Sequence, residues 1–350
     1  NSHSHSQSSL HSQKVMILSS EKIRMESKEL QRTFMKILLP LDGSVYSKKA
    51  INYLSHLEDI KKFTNTVFLV NVQKKIPSSI ENKLKNGVVE ELQNAESRAI
   101  LKPAKKKLEE AGYKVKTKVC FGRATENIVK VSKEIKPDLI IMGSHGRTPV
   151  KGLLFGSKTS SVLASTKAPM LVLRKESQYA EDRMRVGICI DGSEYSNAAI
   201  KYAQQHMQLF GKDPIFYLIN VITPHSGLII PEVSAFGAPA MTKEEFEREQ
   251  RIPFDEKVEP IYEELRNKDI EAKVVLLKGD PSEEIAKYAV ENNLSLLILG
   301  THGRGAFTSM MMGSTAMRIG SACHLPLLLV HHVTEEVEES KNKDDTSSER

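Results

Sequence analysis

Two loops of identical spacing carry the residues with the most specific chemistry. In GSHGRTPVKGLLFGS, Gly143 is followed after two residues by Gly146, and after nine more by Gly156 and Ser157. The second loop repeats the spacing with Gly300, Gly303, Gly313 and Ser314. Glycine lets backbone N–H groups approach a phosphate oxygen closely, and a small hydroxyl residue opening a helix adds a donor at the positive end of its dipole. Such a loop is an anion cradle, and finding it twice after an apolar run argues against a plain strand-to-helix turn. His145 and His302 lie inside the loops. They read as phosphate donors or bystanders rather than general acid–base catalysts, because no partner carboxylate or nucleophile stands near them in sequence. Arg147 and Arg304 recur beside them, either to neutralise a polyphosphate or as solvated surface charge.

A second repeated motif contains Asp42 and Asp191. MKILLPLDGSVYSKKAI at Met35–Ile51 matches MRVGICIDGSEYSNAAI at Met184–Ile200, and VFLVNV matches IFYLINV. CFGRATENI then matches LKGDPSEEI, and DLIIMGSHGR matches SLLILGTHGR, so the chain is an internal duplication. From Asp42 to Gly143 is 101 residues and from Asp191 to Gly300 is 109; an insertion of about eight residues in Thr223–Pro239 accounts for the difference. An Asp followed by Gly-Ser at the end of a strand serves as a helix N-cap or as a carboxylate facing a ligand, and the two roles are compatible.

The elements that position these residues alternate. In the first copy Lys36–Pro40, Thr66–Val72, Tyr113–Cys120, Leu139–Met142 and Met170–Arg174 have the length and β-branched or Leu-rich character of buried parallel strands. Helical patterns over Ser47–Leu57, Val88–Ala111 and Ala124–Ile135 lie between them. Alternating strands and helices predict an α/β architecture: two tandem, doubly wound, parallel five-stranded sheets of Rossmann-like type with right-handed crossovers. A ligand belongs outside the carboxyl ends of the strands, where the strand order switches direction. The expected domains are 34–174 and 184–332, joined by a polar linker at 175–183, with a disordered leader at 1–33 and a disordered charged tail at 333–350.

Composition excludes several classes. The longest apolar runs, Leu139–Met142 and Leu294–Leu299, fall far short of the ~20 residues of a membrane span, and the Ser/His/Gln-rich start has no signal-peptide core. No membrane association and a cytoplasmic location are expected. Cys120, Cys189 and Cys323 form no CxxC pair, so neither a zinc site nor a disulfide framework is indicated. Residues 34–174 hold 26 Lys+Arg against 12 Asp+Glu, whereas 184–332 hold 14 against 19. The basic copy lacks aromatics interleaved with its lysines, so nucleic acid is not an expected partner.

The Gly-x2-Gly-x9-Gly-Ser loops following the fourth strand resemble those of the ATP-binding members of the universal stress protein family, and the resemblance extends over 34–174 and 184–332. It implies an adenine nucleotide partner, ATP with Mg2+. It places the carboxylates of Asp42 and Asp191 at the nucleoside, backbone groups of Val72 and Val221 at adenine, and Met142 and Leu299 in the same pocket. In the family manner Pro40 precedes Asp42; the second copy has Cys189 there, which makes its site the less regular one. Family domains commonly pair through their last strand, which implies an intramolecular pseudo-dimer through Met170–Arg174 and Leu325–Val330, with a homo-oligomer as a further arrangement.

The resulting expectation is a stress-response or signalling protein with two ATP sites that binds rather than turns over rapidly. Alternatives are a slow ATPase or nucleotidyl-transfer enzyme, and an interaction scaffold with degenerate sites. No GxxxxGK[ST] loop, SGGxDS-type loop or obvious general base is present, which argues against fast catalysis, and two intact glycine loops argue against degeneracy.

Overall fold

The computed structural model describes residues 34–57, 65–76, 88–144, 155–174, 177, 179, 183–223, 243–302 and 313–332. The expected leader and tail, most of the insertion, and His145, Gly146, Arg147, Gly303 and Arg304 lie outside the described residues.

The first copy runs β1 (Lys36–Pro40), α1 (Val45–His56), β2 (Thr66–Gln73), α2 (Val88–Glu110), β3 (Lys114–Phe121), α3 (Ala124–Ile135), β4 (Leu139–Gly143), α4 (Ser157–Ser165) and β5 (Met170–Leu173). The second runs β6 (Arg185–Cys189), α5 (Glu194–Gln205), a 3-10 turn at Met207–Phe210, β7 (Ile215–Ile222) and α6 (Lys243–Asn267). It finishes with β8 (Glu271–Lys278), α7 (Pro281–Glu291), β9 (Leu296–Gly300), α8 (Ser314–Ala322) and β10 (Leu327–Val330). Among the described residues no helix is long and apolar enough to cross a membrane.

The central strands are apolar throughout because both faces of the sheet are covered. Ile37 and Leu39 of β1 face α1 and α2, joining Ala50, Leu54, Leu101 and Leu108 in one buried cluster. Leu38 points the other way, into a cluster with Ile128 and Val131 of α3 and Val162 of α4. Strand alternation thus feeds two cores from one segment.

The strands form one ten-stranded sheet in the order β3-β2-β1-β4-β5-β10-β9-β6-β7-β8. Each half is parallel, and in each the strand order switches direction between its first and fourth strands, which lie side by side. The halves meet where β5 and β10 pair antiparallel, Met170 opposite Leu329 and Val172 opposite Leu327. Arg174, buried at the end of β5, donates to the carbonyl of Gly320 in α8, and the Tyr202 hydroxyl donates to the Asp138 carbonyl at 2.8 Å. Both joining strands are shorter than the sequence suggests. Arg174 N–H is taken by Ser177 Oγ at 2.8 Å, and Pro326, having no N–H, can only accept, its carbonyl taking Leu297 N–H at 3.1 Å.

Candidate functional site

The turn carrying Asp42 is held from below by β2. Leu41 N–H donates to the Val70 carbonyl at 2.8 Å, and its own carbonyl accepts from the buried Asn71 Nδ2 at 2.8 Å. Asn71 Oδ1 in turn accepts from Gln73 and Ser97. Gly43 then adopts φ 76°, a conformation other residues resist. The second copy repeats this: Ile190 donates to the Ile219 carbonyl and accepts from Asn220 Nδ2, both at 2.7 Å, and Gly192 has φ 77°.

The helix cap is the following serine, not the aspartate. Ser44 accepts from Ser47 N–H at 3.3 Å and Ser193 from Ser196 N–H at 3.2 Å. Asp42 Oδ1 accepts from the Ser47 hydroxyl at 2.6 Å and Ser44 N–H at 3.1 Å, while Oδ2 lies 3.8 Å from Lys158 Nζ. Burial pushes its carboxyl up, but the bonds from Ser44 and Ser47 and the charge of Lys158 outweigh that and hold it below the ordinary value. It is therefore an anion at neutral pH with one oxygen presented to the cleft. Asp191 Oδ1 accepts from Ser193 N–H at 2.9 Å in the same way.

Gly143 and Gly300 end β4 and β9 against a helix. A Cβ on Gly143 would stand 2.6 Å from the Tyr46 Cβ and carbonyl oxygen, and one on Gly300 2.7 Å from the Tyr195 Cβ and carbonyl carbon. The first glycine of each loop is thus demanded by the packing of α1 and α5, a reason the phosphate argument did not contain. The far ends of the loops return to their starts: Gly156 N–H donates to Ser144 Oγ at 3.2 Å and Gly313 N–H to the Thr301 carbonyl at 2.7 Å. Gly156 and Gly313 are the N-caps of α4 and α8, and neither supplies a side-chain acceptor, so first-turn donors are left for an anion.

In the first copy these pieces surround a cleft of about 360 Å³ at the β1/β4 switch point. Val70, Val72, Ile128 and Met142 form its apolar side; Asp42, Ser44 and Ser47 one polar wall; Gly143, Gly156, Ser157, Lys158 and Thr159 the other. All six expected site residues of this copy that are described line it. An apolar slot, a carboxylate and an uncapped helix start accommodate an aromatic ring, a hydroxylated linker and an anion in that order. Ser44, Ser47, Lys158 and Thr159 were not anticipated. Ser44 and Ser47 recur as Ser193 and Ser196 and were findable from the duplication, whereas Lys158 has no counterpart.

The second copy places Asp191 after β6, Val221 within β7, Leu299 and Gly300 at the end of β9, and Gly313 and Ser314 at the start of α8. Its loop start packs differently: Thr301 Oγ1 lies 3.2 Å from His302 Nδ1 and 3.3 Å from His331 Nδ1, and the His302 ring lies 4.9 Å from Tyr195. Burial, then the charge of His302, lowers the His331 imidazole to about 4. A folded-state value depressed below the unfolded ~6.5 means the unfolded chain binds the extra proton, so this contribution is present above pH 6.5 and is lost as pH falls toward 4. Folding is expected to weaken by about 2 kcal/mol from this group between pH 7 and pH 5. Denaturant melts of the parent and His331→Asn across that range measure it; parallel pH profiles for the two proteins would remove His331 as the cause.

A family model described as the universal stress protein family matches residues 33–174 and again 183–331. The chain belongs to the universal stress protein family. A universal stress protein of Methanocaldococcus jannaschii is 33% identical over 162 residues, 41% of this chain and 96% of that protein. One from Mycolicibacterium smegmatis is 24% identical over 220 residues, 63% of this chain and 69% of its own length. The crystal structure of a universal stress protein from Archaeoglobus fulgidus aligns with a TM-score of 0.61 and 20% identity over 86% of this chain and 98% of that one, a likeness of fold. In the first copy of this universal stress protein the Asp-Gly-Ser turn and the described ends of the glycine loop are thus the two walls of one cleft.

Proposed function

We propose that the chain is a stress-response protein that binds an adenine nucleotide, ATP with Mg2+, in one site per copy, and acts by occupancy rather than by rapid turnover. The observation that carries this is the convergence of the anionic Asp42, the apolar slot beside Val72 and Met142, and the uncapped start of α4 on one cleft. Membership of the universal stress protein family supports the stress role. The test is to incubate the purified chain with Mg-ATP and separate bound nucleotide from released ADP. Two nucleotides per chain and turnover slower than about 1 per second are expected; hydrolysis well above that rate, or no retained nucleotide, would reject the reading.

We infer further that the copies remain together in solution as an intramolecular pseudo-dimer, which the β5–β10 register and the Arg174–Gly320 bond support. X-ray scattering is expected to show one compact particle, and a profile of two beads on a tether would contradict it.

A further inference from the structure

The copies differ where α4 and α8 begin. Aligned on the loop glycines, Ser157-Lys158-Thr159 stands against Ser314-Thr315-Ala316. The loops share Arg147 and Arg304 in sequence and differ at Lys151, which Thr308 matches; at the helix start itself, Lys158 is the cation that only the first copy has. It is the second residue of α4 and lies in the cleft wall, its Nζ 3.8 Å from Asp42 Oδ2. Both side chains are well exposed, 62% and 46%, so the pair contributes little on its own and yields readily to a ligand anion.

In the second copy the first cation along α8, Arg318, stands one turn further on and is already engaged. It pairs with Asp280, the N-cap of α7, whose carboxylate also accepts from Ser282 and Glu283 N–H. The Ser282 hydroxyl, which also donates to Asp280 Oδ1, and then Arg318 lower the Asp280 carboxyl to about 2, so the pair stays charged and matched at any physiological pH. Thr315 brings no charge. One helix start therefore has a cation facing the cleft, and the other has its cation neutralised beside a neighbouring helix.

We propose that the two sites read different phosphate charge: Lys158 makes the first select nucleoside di- and triphosphates over monophosphates, while the second, with Thr315, discriminates little between them. This rests on the reading of both clefts as nucleotide sites. A phosphate chain lengthened beyond its first group adds negative charge along the start of α4, where an ammonium on a flexible stem reaches it; the nucleoside end of the ligand is unaffected.

Full-length protein carrying Gly313→Val isolates the first site, and Gly156→Val the second; each is titrated with Mg-ATP and with AMP. The ratio of ATP to AMP affinity is expected to be about tenfold larger at the first site. Lys158→Thr should bring that ratio down to the value of the second site, Lys158→Arg should retain it, and Thr315→Lys should raise it in the second. A ratio unchanged by Lys158→Thr overturns the proposal even though nucleotide still binds. Failure of the parent chain to bind either nucleotide overturns the nucleotide reading itself, and thermal melts of each variant show that the comparison is made on folded protein.

Discussion

Gly156→Val and Gly313→Val are each expected to abolish nucleotide binding in their own copy, by at least about a hundredfold, and to leave the fold standing. These glycines occupy N-cap positions with φ −54° and −60°, conformations open to any residue, so no backbone strain opposes the change. An N-cap side chain lies over the N–H groups of the next two or three residues. Glycine leaves those donors open to a phosphate, whereas the methyl groups of valine would cover them without accepting a hydrogen bond. Two charge-assisted bonds at about 1.5–3 kcal/mol each account for the loss, and the poorer cap costs folding only about 1 kcal/mol. ATP titration with parallel melts should find two sites in the parent, one in each single variant and none in the double. Undiminished binding in the double variant would remove the uncapped helix starts from the site.

The first glycine of each loop should behave in the opposite way. Gly143→Ala and Gly300→Ala are expected to destabilise folding by about 3 kcal/mol each, at the upper end of overpacking costs. Among the atoms the new methyl meets at 2.6–2.8 Å are backbone atoms of Tyr46 and Tyr195, which cannot rotate aside as a long side chain could. Relief requires α1 or α5 to move off the sheet, carrying the Asp42 or Asp191 turn with it. Chemical denaturation reads the effect directly, and a midpoint indistinguishable from the parent in Gly143→Ala would show that the helix gives way freely. With the expected result, glycines of one motif separate by assay, the first through stability and the third through affinity.

Much of this arrangement was legible because buried parallel strands are short and apolar and because the chain states its motifs twice. Lys36–Pro40 and Ala124–Ile135 have the bounds their patterns suggest, and Asp42, Val72, Met142, Gly143, Gly156 and Ser157 meet at one cleft. What was hidden depends on contacts rather than residue type. Asp42 and Ser44 are both good caps, and only the geometry of α1 assigns the cap to Ser44 and frees the carboxylate. Asn71 looks like a flaw in an apolar strand until its bond to the Leu41 carbonyl is seen. Lys158 is an ordinary residue for a helix surface and lacks a repeat partner to draw attention to it. His302 and His331 lie 29 positions apart, and nothing local announces that Thr301 stands between them.

The antiparallel joint between β5 and β10 fixes the direction in which each half looks. Within a half every strand runs the same way, so the carboxyl ends of β1–β5 lie along one rim of the ten-stranded sheet and those of β6–β10 along the opposite rim. The Asp42 mouth and the Asp191 turn consequently point away from one another. A flat partner surface seated over the first is turned from the second, and a short tether holding two nucleotides cannot satisfy both. Each end of the molecule therefore faces its own surroundings, and any coupling between them must cross the β5–β10 ladder and the bonds beside it, Arg174 to Gly320 and Tyr202 to Asp138.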